Sequence, residues 1–367
     1  MRVLVTGSRG FIGKNLVVLL GELTGYEVKR FDRGDDIADL PNVLSDVDAV
    51  VHLAGENRPK DVSDFAKNNA FLTEALCDAI AASGREIPLI LASSIQADLD
   101  NPYGHSKRNA ELAVKRLASS ENPAVIYRLP GVFGKWCKPN YNSVVATFCH
   151  NIANGLPIQI NDPATKLRLV YVDDVVSTMI AALEAPVAGL TQGVVQTEYE
   201  ITLGDLAAKI KSFSDCRTSL LTERVGTGLD RALYATYVSY LPKERFAYEV
   251  PQHGDSRGVF VEMLKTPDCG QFSFFTAHPG ITRGGHYHHT KTEKFLVVKG
   301  HALFRFRHLL TDEFYELRTS GDIPVVVDSV PGWSHDITNI GEEEMVVMLW
   351  ANEVFDPEQP DTFASKV

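Results

Sequence analysis

The chain has 367 residues, 44% hydrophobic and 23% charged, so it can bury a full core and is long enough for two domains. Its formal net charge of -11 argues against nucleic acid as a partner, and no apolar run reaches the roughly eighteen residues that a membrane span needs. Met1-Arg-Val-Leu-Val-Thr-Gly enters a strand directly rather than a signal peptide, which gives the expectation of a soluble cytoplasmic protein.

In chain order, the first half alternates short apolar runs with helical patterns. Residues 3–5 read as a strand, 11–22 as a helix, 47–53 as a strand, 65–82 as a helix, 89–93 as a strand, 106–119 as a helix and 124–128 as a strand. That alternation predicts a parallel, doubly wound sheet flanked by helices, an α/β domain of the Rossmann kind. Between the first strand and first helix stands Thr6-Gly7-Ser8-Arg9-Gly10-Phe11-Ile12-Gly13. Gly7 permits the tight turn, Gly10 lets the backbone approach a pyrophosphate, and Gly13 lets helix and strand pack closely. Arg9, Phe11 and Ile12 belong to the same candidate nucleotide loop.

The second strand ends in Lys29-Arg30-Phe31-Asp32-Arg33. An aspartate there accepts from a ribose 2′-hydroxyl, whereas Arg30 and Arg33 welcome a 2′-phosphate, and two arginines against one acid favour NADPH over NADH. Tyr103-Gly-His-Ser-Lys107 places a phenol and an ammonium one helical turn apart, and Ser93-Ser94 ends the preceding strand at the edge where open α/β sheets bind ligands. Five cysteines, at 77, 137, 149, 216 and 269, without a Cys-x-x-Cys pair, fit reduced thiols.

These motifs resemble those of the extended short-chain dehydrogenases/reductases that act on nucleotide sugars, over most of residues 1–240. The resemblance implies Ser94, Tyr103 and Lys107 as catalytic triad, with Tyr103 donating a proton to the carbonyl oxygen and Ser94 polarising it. It also implies Leu53-Ala54-Gly55 beside the adenine, Asn69 as the family's helix asparagine, and Tyr171-Val-Asp-Asp174 as a strand-end motif. One departure stands out: where relatives often read Arg-x-x-Asn-x-x-Gly, this chain has Arg128-Leu-Pro-Gly131-Val-Phe-Gly134.

After Leu241-Pro242 the pattern changes, which sets the expected domains at 1–243 and 244–367. Closely spaced strands at 259–264, 271–277, 293–298, 302–307, 313–317, 324–327 and 344–350 predict an antiparallel barrel or double-sheet jelly roll. His286 and His288 alternate onto one face, Glu293 can return to them through a polar turn, and Pro331-Gly332 can present His335 to the same interior. Mixed imidazole and carboxylate ligation suits zinc, iron, manganese or nickel.

The two runs resemble the two motifs of the cupin superfamily, which implies His286, His288, Glu293 and His335 as metal ligands. The stretch Gly254-Asp255-Ser-Arg257-Gly258-Val-Phe260-Val-Glu262 resembles the opening strand of nucleotide-sugar 3,5-epimerases, which implies substrate contacts for Arg257 and Glu262, the arginine pairing with phosphate. A 4-keto sugar gives both halves a task, because the ketone acidifies the neighbouring carbons and reduction then locks the stereochemistry.

Over its whole length the chain resembles the CapF-type bifunctional enzymes of capsular polysaccharide synthesis. That implies epimerisation of a UDP-2-acetamido-2,6-dideoxy-4-hexulose at carbon 3 by the cupin. NADPH reduction at carbon 4 follows, to UDP-N-acetyl-6-deoxytalosamine on the route to UDP-N-acetyl-L-fucosamine, in a homodimer with zinc. The alternatives are a dTDP-rhamnose-type pair of activities, or a reductase beside a non-catalytic cupin. His253, Lys265, His278 and Lys294 are the unranked candidates for the epimerisation base.

Overall fold

The computed structural model describes the chain except residues 60, 62–64, 120, 256–257, 262, 265, 267–269 and 354–356, and side chains at 66, 67, 252–261 and 271 are also outside the description. In chain order the elements begin β1 (Arg2–Thr6), α1 (Phe11–Glu22), β2 (Glu27–Phe31), α2 (Leu40–Leu44) and β3 (Ala49–His52). A π-helical turn, Ala66–Phe71, runs into α3 (Leu72–Ala82), followed by β4 (Leu89–Ser94), α4 (Pro102–Ala118), β5 (Ala124–Leu129) and β6 (Gly131–Phe133). Next come α5 (Val144–Ala153), β7 (Lys166–Tyr171), α6 (Val172–Glu184), β8 (Leu190–Gly193), β9 (Tyr199–Thr202), α7 (Leu203–Ser219) and α8 (Gly228–Val238).

Two compact units emerge: Met1–Ser143 with Lys166–Ile201, and Val144–Thr165 with Thr202–Val367. In the first, β1 to β5 and β8 form a parallel sheet in the order β2-β1-β3-β4-β5-β8. Val3, Leu4, Val5, Val50 and Val51 have no exposed surface, as strands covered by helices on both faces must. The order reverses between β1 and β3, which is the crevice where such sheets take ligands.

The chain is drawn so tight there that a Cβ on Gly7, which has φ +68°, would stand 2.7 Å from the Ala54 nitrogen. A Cβ on Gly13 would stand 2.2 Å from the Gly7 carbonyl oxygen. Helix α1 begins at Gly10 without a side-chain cap, which leaves its first N–H groups facing the crevice for an anion. Buried His52 bridges the Thr6 hydroxyl at 2.6 Å and the Thr73 hydroxyl at 2.9 Å, tying β1, β3 and α3 together.

The second unit holds β10 (Ala247–Glu249), β11 (Gln252–Asp255), β12 (Gly258–Val261), β13 (Gln271–Ala277), β14 (Thr282–Tyr287) and β15 (Glu293–Lys299). It continues through β16 (His301–His308), β17 (Phe314–Ser320), β18 (Val325–Asp328), β19 (Trp333–Asn339), β20 (Met345–Ala351) and β21 (Phe363–Ala364). Two antiparallel five-stranded sheets, β10-β18-β15-β20-β13 and β17-β16-β19-β14-β21, make the jelly roll that the strand spacing predicted. On β16, Ala302, Phe304 and Phe306 are buried while Arg305 and Arg307 alternate outward.

The strands of the second unit begin at Ala247, and helices α5, α7 and α8 belong to the same compact unit. Part of the reason is electrostatic. Asp328 of β18 receives the Lys294 ammonium at 2.7 Å and the Arg217 guanidinium of α7 at 3.0 Å, and all three side chains are buried. Arg217 also stacks over Tyr248 with 4.4 Å to the ring centroid.

The described cysteines form no disulfide, and no described helix is long and apolar enough to cross a membrane. Asp328→Ala would leave two buried cations uncompensated. We expect it to destabilise this unit by about 3–5 kcal/mol, read as a lowered denaturation midpoint of the full chain; a loss below about 0.5 kcal/mol would refute the pairing.

Candidate functional site

Helix α4 starts earlier than its apolar pattern predicts, because Asn101 caps it: its Oδ1 accepts the Gly104 N–H at 2.8 Å, with Pro102 in the first turn. Tyr103, Lys107 and Glu111 therefore fall on successive turns of one face, beside the end of β4. Ser94 acts on the Tyr103 phenol, and its Oγ accepts the Gln96 N–H at 3.2 Å. Burial pushes the phenol above its ordinary value of 10, and the Ser94 contact opposes that shift.

Lys107 donates to the Ala92 carbonyl at 3.1 Å and lies 6.0 Å from the Tyr103 ring centroid. Burial pushes its ammonium down to about 8, while the Glu111 carboxylate acts the other way. Glu111, buried, accepts from Ser93 Oγ at 2.6 Å and from both prongs of Arg128 at 2.9 and 2.7 Å. This carboxylate carried no motif in the sequence; its place two turns beyond Tyr103 is the signal that could have found it.

Asn69 sits in the π-helical turn, a feature that clusters at functional sites. Its Oδ1 accepts the Glu56 N–H at 2.7 Å, and its Nδ2 donates to the Glu56 carbonyl and the Ser106 hydroxyl, each at 2.9 Å. It thereby ties the Leu53-Ala54-Gly55 loop to α4, so tightly that a Cβ on Gly55 would stand 2.9 Å from Asn69 Oδ1 and 3.4 Å from Lys107 Nζ.

At the end of β2, Asp32 is turned onto the glycine loop, accepting from the Ser8 hydroxyl at 2.6 Å and the Arg9 N–H at 3.1 Å. The Arg9 guanidinium stands 3.5 Å from it, and Arg33 pairs with Glu56 at 2.5 Å, both arginine side chains being more than 80% exposed. Arg30 is exposed on β2. Glu56 is itself held by the Tyr141 hydroxyl at 2.9 Å.

A cleft of about 280 Å³ opens beside the phenol, lined by Asn57, Phe65, Gln96, Asn101, Tyr103 and Asn142 among others. Among the described residues the lining is four amides and an aromatic wall without a charged side chain, which suits a neutral polyhydroxylated ring. The departure at Gly131 has a steric counterpart, since a Cβ there would lie 3.1 Å from both the Arg168 carbonyl oxygen and Leu169 Cδ2.

In the second unit the ligand atoms of His286, His288, Glu293 and His335 all lie within 4.8 Å of one another. His286 and His335 are ladder partners on β14 and β19, and a bulge between Gly284 and His286, with φ +93° and +75° at Gly284 and Gly285, aims the strand. Glu293 comes from β15 in the facing sheet. Its Oε2 lies 3.0 Å from His288 Nε2 and 3.5 Å from His335 Nε2. Burial alone would raise the Glu293 carboxyl, yet the two imidazoles hold it well below its usual range.

His335 Nε2 is buried and makes no hydrogen bond, which is what a metal-ligand atom looks like without its ion. Three imidazoles and a carboxylate form a donor set that fits a divalent transition ion. Arg257 and Glu262 lie outside the described residues, as do Lys265 and the side chain of His253. Of the remaining candidates for an epimerisation base, Lys294 is committed to Asp328, which holds its ammonium well above the usual lysine range against burial. His278 is largely exposed and faces Glu344 at 3.9 Å.

Residues 3–197 match the NAD dependent epimerase/dehydratase family, and residues 253–363 match the polysaccharide biosynthesis C-terminal domain. A UDP-2-acetamido-2,6-beta-L-arabino-hexul-4-ose reductase of Pseudomonas aeruginosa is 55% identical over 368 residues, spanning 100% of this chain and 99% of that one. The crystal structure of the capsular polysaccharide assembling protein CapF from Staphylococcus aureus is 42% identical, with TM-score 0.68 and full coverage of both chains. The fold of the first half is also that of a Thermus thermophilus UDP-glucose 4-epimerase in complex with NAD, at TM-score 0.51, 24% identity and coverage of 58% of this chain and 83% of that one. With its glycine loop, its Ser94-Tyr103-Lys107 cluster and its jelly roll, the chain belongs to the NAD dependent epimerase/dehydratase family and, over its full length, to the CapF-type proteins of capsular polysaccharide synthesis.

Proposed function

We propose that this chain reduces the 4-keto group of a UDP-linked 2-acetamido-2,6-dideoxyhexulose with NADPH, after epimerisation at carbon 3 by the jelly roll acting as a zinc-bearing cupin. The product of this reading is UDP-N-acetyl-6-deoxytalosamine, on the route to UDP-N-acetyl-L-fucosamine, made by a cytoplasmic homodimer. The observation that carries the reductase part is the Ser94-Tyr103-Lys107 cluster opening on an amide-lined cleft. The reductase named among the relatives supports the substrate class.

Reduction requires an acid at the ketone oxygen, and burial that keeps the Tyr103 phenol protonated at neutral pH suits that direction. Tyr103 Oη gives its proton to the oxygen at carbon 4, Ser94 orients both, and the Lys107 ammonium stabilises the phenolate left behind. Gly7, Gly10 and Gly13 would hold the pyrophosphate of a nicotinamide cofactor, which would supply hydride to the carbonyl carbon. Arg9, Arg30 and Arg33 are the groups that would take a 2′-phosphate, since Asp32 already accepts from the loop.

In the jelly roll, His286, His288, Glu293 and His335 would hold the zinc, and Arg257 and Glu262 would contact the substrate. A second reading keeps the jelly roll as a metal-stabilised dimerisation module, and it draws on the commitment of Lys294 to Asp328. Incubating the 4-keto substrate in deuterated water without NADPH separates the two, because only an active epimerase washes deuterium into the sugar.

Tyr103→Phe is expected to abolish NADPH oxidation and leave that deuterium exchange intact, as followed by absorbance and NMR; normal hydride transfer would remove Tyr103 from the proton-donor role. Arg33→Ala and Arg30→Ala should raise KM for NADPH more than for NADH, since a charge-assisted bond contributes about 1.5–3 kcal/mol, and an unchanged preference places the phosphate site elsewhere. Lys107 loses its charge as pH rises through about 8, so kcat/KM for the cofactor should fall on that side. Glu111→Gln removes the anion that favours the charged form and should move this limb to lower pH.

A further inference from the structure

His288 stands one residue beyond the end of β14, so the sheet ladder does not by itself fix its ring. Its Nδ1 lies 2.6 Å from the backbone carbonyl oxygen of Asp361, seventy-three residues on. A carbonyl oxygen only accepts, so Nδ1 carries a proton and Nε2 is the atom turned toward Glu293 and His335. The Asp361 side chain completes the clasp. Oδ1 accepts the His289 N–H at 3.0 Å, while Oδ2 accepts the Thr290 N–H at 2.8 Å, the Lys291 N–H at 2.6 Å and the Thr290 hydroxyl at 3.0 Å.

One carboxylate therefore gathers three successive backbone N–H groups of the loop that joins His288 to Glu293. That loop carries two of the four ligand candidates at its ends. The segment around Asp361 is anchored in turn: Lys291 Nζ donates to Thr362 Oγ1 at 2.9 Å, Phe363 stacks on Tyr287, and β21 pairs with β14 at His286 and Tyr287. Asp361 holds its own place at φ +38°, a conformation that a non-glycine residue keeps only when its surroundings impose it.

We propose that Asp361 is a positioning residue for metal binding, fixing both the tautomer of His288 and the loop that brings Glu293 to the same ion. This rests on the reading of the cluster as a metal site and goes beyond it by assigning the site's support to the C-terminal segment. Outer contacts of this kind are worth about 10–100-fold in metal affinity.

The test uses the full chain, stripped and then titrated with Zn²⁺ or Co²⁺ alone, in the wild type, Asp361→Ala and Asp361→Asn. Affinity by chelator competition, the visible spectrum of the Co²⁺ form, and melting with and without metal are the readouts. Asp361→Ala should bind Zn²⁺ at least about 10-fold more weakly, alter the Co²⁺ spectrum, and lose most of the metal-dependent rise in melting temperature. Asp361→Asn retains a carbonyl acceptor and should fall between the two; should the alanine variant not fold, the asparagine variant carries the test, with affinity weakened and metal-free melting near wild type. Equal affinity and an unchanged spectrum in the variants, with melting lowered alike with and without metal, would make Asp361 structural and overturn the proposal. A wild-type chain that takes up neither ion would overturn the metal reading and this inference together.

Discussion

Glu111 has almost no exposed surface, and a carboxylate so placed is stable only if its surroundings supply donors or opposite charge. The surroundings do so from three directions: the Arg128 fork from β5, the Ser93 hydroxyl from β4, and the positive Lys107 one turn back on the same helix. The register of α4 against the sheet follows from that compensation, and with it the position of Tyr103 another turn back. Lys107 gains from the arrangement as well, since burial alone would discharge it more readily and Glu111 holds part of the charge in place.

The glycine loop depends on a different constraint, which is steric. Loops after β1 and β3 meet where the strand order reverses, and a side chain at Gly7 or Gly13 would collide with backbone rather than with a movable neighbour. Backbone N–H groups thus reach the crevice uncovered. Asn69 does the complementary task from the helix side, holding Glu56 and Ser106 so that Gly55 passes close to Lys107.

Much of this was legible because the signals are local. A glycine run between strand and helix, a Tyr-x-x-x-Lys repeat and alternate histidines each state their geometry within one turn or one strand. The helix start at Asn101-Pro102 was equally local but was masked by the polar residues that follow it, which carry no apolar period. Glu111 with Arg128, and Asp361 with the loop after His288, were not legible, because each pairing joins segments whose approach is set by the whole sheet or jelly roll. The amide-lined cleft was hidden for the same reason: Asn57, Gln96 and Asn142 come from three separate connections.

Lys294 shows how a candidate base and a structural group differ by one position. On β15 the side chains alternate, so Glu293 and its neighbour Lys294 must serve opposite faces. Glu293 points between the sheets to the three histidines, while Lys294 meets Asp328, its ladder partner on β18, with Arg217 of α7 closing the same ion group. A slip of one residue would bury the ammonium among the imidazoles without its anion and turn the carboxylate toward Asp328, bringing two like charges together there. The ion group that binds α7 to the jelly roll therefore also fixes the rotation of the strand that carries Glu293, and the ligand cluster inherits its register from a salt bridge that takes no part in it.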